Sequence, residues 1–325
     1  MKRLILIILT FMVYGIGIES PAVLGQPYPS RPIQLIIPGA AGSILDIAGR
    51  LLGEEMGKLL GTQLIPIAKP GAGFTLGTDL VVKSKKDGYT LVYTNSSAIV
   101  NARVLNPETV PYDPEKDLEP IGLALFVSGG LAVNHSAPWK SFAELVDDAK
   151  KNPGKIRVST NGIGSTAHLN LEIIQSLTGA QFNHIPFKGG DAVSNALMGG
   201  HVEMTFDVMS KLVPHVESGK LRLLLLDKKM SGFAEIPTMT DLGYPQDLCT
   251  SWLALYGPAG LPEEVKNILI PAFEKAVKNP ELKSKLEKMF FAIDYKTPGE
   301  MRKLAADQYK TILEIAKRVG LRKTN

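Results

Sequence analysis

The 325-residue chain has one cysteine, Cys249, so no disulfide can form within it whatever the redox state of its compartment. It carries little charge excess: 36 Lys and Arg stand against 32 Asp and Glu, the signs interspersed, and nothing in that balance suggests a nucleic-acid surface. Low-complexity tracts and short fixed repeats are missing, which excludes solenoids. Phosphate-loop chemistry also lacks its marks. G-x-x-x-x-G-K-[ST] does not occur, and residues 36 to 50 lack the dinucleotide fingerprint G-x-G-x-x-G. Nor is there a G-x-S-x-G elbow, an H-E-x-x-H pair or a Cys-His nucleophile arrangement, so the five histidines have no assigned catalytic task.

What is present begins with "MKRLILIILTFMVYGIGIES": two basic residues, an apolar run from Leu4 to Ile18, then small residues up to Gly25. That order predicts a secretory signal peptide over residues 1–25, cleaved before Gln26; the alternative is an uncleaved anchor, for which the run is short. About 300 remaining residues exceed what one core usually serves, so two domains are expected.

The rest alternates strands and helices, the mark of a parallel α/β sheet. Ile33 to Ile37 read as a buried strand, and Pro38 to Gly42 as a close turn. Ser43 then caps a helix carrying Ile44, Ile47, Ala48, Leu51 and Leu52. A helix follows from Thr75 to Ser84, then strands Thr90–Thr94 and Ile121–Val127, and a helix opened by the S-x-x-E box Ser141 and Glu144. After Val127 the pattern restarts with "KIRVST", "NGIGST", "AHLNLEIIQSLTG" and "FNHIPF". Amphipathic helices at Glu263–Lys278, Glu281–Met289 and Pro298–Val319 close the chain. The restart predicts lobe 1 from residues 26–127 and 248–325, and lobe 2 from residues 128–247.

Several stretches place small polar groups where an open α/β sheet binds ligands. Ala40, Ala41, Gly42 and Ser43 join a strand to a helix N-terminus, whose free N–H groups and positive dipole end suit an anion. Asp46 is either a polar wall of that seat or the reciprocal partner of the Ser43 cap. Ser96 and Ser97 end the strand Thr90–Thr94, where they would orient an oxyanion or form an ordinary polar turn. Thr160, Asn161, Gly162, Ser165 and Thr166 repeat the strand-loop-helix pattern in the second unit. Asp207 closes an apolar strand, as a selectivity group facing a water, hydroxyl or amine, or as a hinge or cap. His168 and Glu172 share a helix face at i and i+4, but no spacing supplies further metal ligands, so a hydrogen bond is the better reading. Lys188 reads as a solvated loop lysine.

Taken in order, "YPSRPIQLIIPGAAGSILDIAGRLL", "PGAGFTLGTDLVVKSKKDGYTLVY", "PYDPEKDLEPI", "NGIGSTAHL", "HIPFKGGDAVSNALMGGHVEMTFD", "LVPHVESGKLRLL", "IPTMTDLGYP" and "SWLALYGPAGLP" resemble the Bug, or TctC-like, extracytoplasmic solute-binding proteins of tripartite tricarboxylate transporters, from Tyr28 to near the C-terminus. The resemblance implies an α/β, two-lobed periplasmic binding protein (type II-like), each lobe a sheet flanked by helices. It implies closure on a small carboxylate with no cofactor, and membrane transporter subunits as partners; the chain is separately expected to be a monomer without a metal site. Where the family tends to run Pro, an aromatic, Ala, Pro, Gly, Gly, Gly, a hydroxyl and Asp, this chain has Pro38 to Asp46 with no aromatic and fewer glycines. Ligand identity therefore does not transfer. A secreted α/β enzyme and the ligand-binding part of a sensory pathway remain the alternatives.

Overall fold

The computed structural model describes residues 27–187 and 192–322; the expected signal peptide with its cleavage site, and Lys188, lie outside the described residues. In chain order the elements are β1 (Ile33–Ile37), α1 (Ile44–Leu60), β2 (Leu64–Ala68), α2 (Thr75–Val82), β3 (Thr90–Asn95), α3 (Ala102–Leu105), α4 (Pro114–Asp117), β4 (Leu118–Val127), β5 (Gly129–Asn134), α5 (Phe142–Lys151), β6 (Arg157–Thr160), α6 (Thr166–Thr178), β7 (Asn183–Pro186), α7 (Ala192–Met198), β8 (Met204–Val208), α8 (Met209–Glu217), β9 (Leu221–Leu226), β10 (Ser251–Pro258), α9 (Glu263–Lys278), α10 (Pro280–Glu287), β11 (Phe291–Lys296) and α11 (Pro298–Arg318).

Two sheets result, each flanked by helices. One runs β11-β4-β10-β3-β1-β2 and the other β7-β6-β8-β5-β9. Both sheets are mixed, with a parallel part where strands and helices alternate. β1 pairs parallel with β2 and β3, and β6 with β7 and β8, but β10 runs antiparallel to β3 and β4, β11 antiparallel to β4, and β5 antiparallel to β8 and β9. The reason is topological. The chain leaves the first sheet at Val127, builds the second, and re-enters at Ser251 from the opposite direction.

Local chemistry sets the boundaries. Ser43 Oγ accepts the Asp46 N–H at 3.3 Å to start α1, and Gly61, at φ 65°, ends it in the left-handed conformation glycine tolerates. α11 opens with Thr297 and Glu300 exchanging side-chain-to-backbone bonds. Ile33, Leu35, Ile36 and Ile37 are all buried, as a strand covered by helices on both faces requires. One apolar cluster runs from Val92 and Trp252 in the first sheet through Leu131 to Val158 and Phe206 in the second. The lobes thus share a continuous apolar floor, and the site lies above it.

Candidate functional site

A cavity of about 680 Å³ opens between the two sheets, within the span usual for small-molecule sites, roughly 300–1,000 Å³. The first lobe supplies the loop Ala72 to Thr75, then Asn95, Ser97, Asn101 and Ser251; the second supplies Gly129, Asn161, Gly164 to Ala167, Asp207 and Asp227. Two helices begin in opposite walls, α2 at Thr75 and α6 at Thr166. Their N-termini bring orphan N–H groups and positive dipole ends to one space. Ser165 caps α6, whereas the residue before α2, Phe74, gives no side-chain cap. Among the described wall residues there is no Lys, Arg or His.

The wall is also where the backbone departs from ordinary conformations. Ala72, Gly73 and Phe74 stand at φ 45°, 62° and 76°, and two of these are non-glycine residues in a region that costs of order 1–2 kcal/mol each. Ser97 to Asn101 form one wide π-type turn continuing into α3, a local insertion common at functional sites. That turn brings Asn101 to face the second lobe, where its Nδ2 donates to Thr166 Oγ1 at 3.4 Å; its Oδ1 is buried without a partner.

The structure brings together Ser97, Asn161, Ser165, Thr166 and Asp207 of the expected site, and sets the others apart. Ser97 and the Asn161-to-Thr166 loop face each other from the two lobes. Asp207 is buried and accepts from Val208 N–H at 2.8 Å, Ser194 Oγ at 3.1 Å and Asn161 Nδ2 at 3.3 Å. Burial raises its pKa, with those donors and the Lys211 charge offsetting part of the rise.

Ser96, Thr160 and Gly162 stand behind the wall. Ser96 Oγ lies 3.2 Å from Ser251 Oγ, and Thr160 Oγ1 meets His184 Nε2 at 2.6 Å and takes the Gly162 N–H at 3.4 Å.

The first Gly-rich loop stands apart from this cavity. Ala40, Ala41, Gly42, Ser43 and Asp46 do not line the cavity. The donors expected to hold an anion are used internally: Gly42 N–H donates to Asp46 Oδ2 at 2.9 Å, and Ser43 N–H to Ala40 O at 3.0 Å. Asp46 is therefore the stand-in anion of its own helix start, further tied to Arg50 Nε at 2.9 Å. Burial pushes its carboxyl up, but the Arg50 and Gly42 bonds outweigh that and hold it below the usual range.

His168 and Glu172 form the helix-face pair at 3.5 Å. His168 Nδ1 also accepts the Gly164 N–H at 3.0 Å, latching the wall loop, and its ring stacks on His184 at 4.2 Å. Burial and the neighbouring His168 lower the His184 pKa to about 4, so that ring is neutral at ordinary pH.

Three features escaped the sequence reading. The loop "PGAGF" precedes a helix just as "PGAAGS" does, and the same strand, glycine and helix signal would have found it. Asp227 ends the apolar run "LLLL" as Asp207 ends "TF", so the strand-end rule applied to one acid fits both. Asn101 had no local signal, because only the wide turn aims it at the cleft.

Comparison with known proteins now bears on this geometry. The sequence pattern of the tripartite tricarboxylate transporter family receptor, TctC, matches residues 48–321. Protein BugT of Bordetella pertussis is 31% identical over 98% of both chains. A Cupriavidus necator protein described as UPF0065 protein in gbd 5'region is 35% identical over 95% of this chain and 94% of that one. A solved TctC solute binding protein from Polaromonas shares 28% identity with a TM-score of 0.79, covering 90% of this chain and 99% of its own.

Proposed function

We propose that this chain, which belongs to the tripartite tricarboxylate transporter receptor family, captures a small carboxylate in the cavity between its lobes and presents it to membrane subunits of a transporter of that type. Its family and its two-lobed α/β fold are those of periplasmic solute-binding proteins rather than enzymes. Among the described residues no helix is long and apolar enough to cross a membrane. We place the working protein outside the cytoplasm as a monomer, after removal of residues 1–25.

The observation that carries the reading is the pair of helix N-termini, α2 and α6, meeting in one cavity whose described wall has no cationic side chain. Oriented N–H groups hold an anion without the desolvation cost of a buried Arg. The lobes then divide at residues 127/128 and 247/248, and a ligand touching both walls stabilises the closed arrangement by population shift. The revised site comprises Ala72 to Thr75, Ser97, Asn101, Asn161, Ser165, Thr166 and Asp207.

A thermal-shift screen of mono-, di- and tricarboxylates on the purified chain tests the reading. A binder of the native state raises the midpoint by linkage, and a flat response to every carboxylate rejects the proposal.

Two neighbouring hydroxyls sharpen it. Ser165 Oγ donates to Gly162 O at 2.8 Å and accepts from His168 N at 3.2 Å, so both roles are used; Ser165→Ala should cost about 0.5–2 kcal/mol of stability as a lost cap. Thr166 Oγ1 accepts from Asn101 and keeps its hydrogen for the cavity. Thr166→Val should weaken binding of the selected carboxylate about tenfold, near 1.4 kcal/mol, and also lower the melting midpoint by the cost of leaving Asn101 Nδ2 without its acceptor, whereas Thr166→Ser should keep both. Calorimetry and thermal melts of these variants separate the two roles.

A further inference from the structure

Two carboxyls reach the cavity wall, and they are built differently. Asp207 receives three donors, whereas Asp227, 3% exposed, has one well-formed hydrogen bond: Gly129 N–H reaches Oδ2 at 2.9 Å, its own N–H and that of Lys228 act on the carboxyl more weakly, and Oδ1 has no well-formed hydrogen bond among the described residues. A buried carboxyl oxygen with no hydrogen-bond partner calls for an explanation. Asp227 as a residue lines the cavity assigned above to a carboxylate, with Oδ1 itself closed off from solvent.

The placement is constrained from several sides. Asp227 is the first residue after β9, the last strand of the second sheet before the return segment. Its N–H donates to Gly129 O at 3.0 Å, and its carbonyl accepts the Thr250 hydroxyl at 3.4 Å, so it touches both chain crossings between the lobes. A Cβ on Gly129 would lie 3.2 Å from Asp227 Oδ2 and 2.9 Å from Phe206; glycine there leaves room for the carboxyl.

The charged and titratable groups around it do not neutralise it. Lys228 places its Nζ 3.7 Å from Asp294 and over the Phe126 ring, on the first lobe. Cys249 on the return segment is a buried thiol pushed up to about 12. Asp207 stands two strands away across β5, with Lys211 acting on it. Among the described residues no ion pair reaches Asp227.

We propose that Asp227 is held as the neutral acid and donates its carboxyl hydrogen to a carboxylate oxygen of the ligand, so that ligand and proton occupy the cavity together. This rests on the carboxylate reading above. An anion entering a wall without a cation needs donors, and a protonated carboxyl is one that the chain itself supplies. Full burial raises the pKa of this group well above the ordinary range, with the Gly129 N–H, the Lys228 charge and the backbone N–H groups of Asp227 and Lys228 offsetting part of the effect. No covalent bond changes. When Asp227 starts ionised, its proton comes from solvent on binding.

The sign follows from linkage. Affinity is constant while free Asp227 is already protonated, and falls about tenfold per pH unit once pH exceeds its free-state pKa, with one proton taken up per ligand. An ionised Asp227 accepting from a ligand amine would give the opposite slope. Unliganded stability has its own sign: the native state keeps the proton that the unfolded chain releases, so stability declines as pH rises from the ordinary carboxylate range toward the raised value.

The test uses succinate, adipate and citrate on the purified chain. Calorimetry from pH 6 to 9 is paired with infrared spectra of the protonated-carboxyl band, for wild type and Asp227→Asn. Expected are a protonated-carboxyl band in the wild-type complex that Asp227→Asn removes, and wild-type affinity flat or falling with pH. In the variant the amide still donates, so affinity stays within about threefold of wild type at pH 6 and no longer falls at pH 9. Its melting midpoint at pH 8 should equal or exceed wild type, which also certifies the fold. Absence of that band, or affinity rising with pH, overturns the proposal while leaving carboxylate capture standing. If none of the three acids binds, the carboxylate reading and this proposal fall together.

Discussion

Gly164→Val should lose carboxylate binding by about a hundredfold or more, near 2.7 kcal/mol, while the chain still folds. Gly164 sits in the wall loop of the second lobe at φ 78°, where a β-branched residue is a true outlier. A Cβ built there would lie 2.8 Å from Leu105 Cδ1, which belongs to the first lobe. The substitution therefore has two effects: it strains the loop by about 1–2 kcal/mol and holds the walls apart. Strain alone should lower the melting midpoint by only about 2–4 °C per kcal/mol, because the unfolding entropy of a chain this size is large.

The two causes separate in a cycle built on Gly164→Ala, with Leu105→Ala as the second change. If the cross-cleft contact dominates, truncating Leu105 restores most of the affinity lost by Gly164→Ala. If left-handed strain dominates, the double variant binds no better than the single one, since strain belongs to residue 164 alone. Calorimetry with the screened carboxylate reads the outcome. Wild-type affinity in Gly164→Val would mean that the Gly164 loop is not part of the ligand seat.

Much of this architecture was legible in the chain, and the boundary between read and unread has a physical basis. Helix starts were readable because caps are local: Ser43, Ser141 and Ser165 each accept an N–H three residues on. α9 spans Glu263 to Lys278 as its apolar spacing predicts. β5 and β11 went unread. β5 opens with two glycines, which weaken a strand signal, and β11 is an edge strand that takes its form from pairing with β4, far back in sequence. The antiparallel entry of β10 likewise depends on the excursion through the second sheet. The site divides the same way. Periodicity and glycines located both loop families, yet which loop met the cavity was decided by Asp46, whose carboxylate takes the Gly42 N–H that an outside anion would need.

Asn170 gives the largest expected effect on stability, with a pH dependence that identifies its cause. It is fully buried on α6, and its amide clasps one residue of the return segment from both sides: Nδ2 donates to Cys249 O at 2.9 Å, and Oδ1 accepts Cys249 N–H at 2.8 Å. Asn170→Ala would leave two buried backbone groups unpaired, at about 1–3 kcal/mol each. Asn170→Asp is the sharper probe. An ionised carboxylate only accepts, so it would face the Cys249 carbonyl oxygen with no donor, whereas a protonated carboxyl both donates and accepts as the amide does. The variant's native state must therefore hold a proton that the unfolded chain gives up above its ordinary carboxyl pKa. That costs about 1.4 kcal/mol per pH unit, or about 4 kcal/mol at pH 7, shrinking to about 1.5 kcal/mol at pH 5. Denaturant unfolding of both variants at the two pH values checks it. Asn170→Asp should recover on acidification relative to wild type, and Asn170→Ala should not. The clasp holds the segment that carries Thr250, bonded to Asp227, and Ser251 of the cavity wall, so carboxylate affinity in Asn170→Asp should fall and recover with the same pH dependence. Equal stability of Asn170→Asp at both pH values, once referred to wild type, would show that the bidentate clasp does not carry the crossing between the lobes.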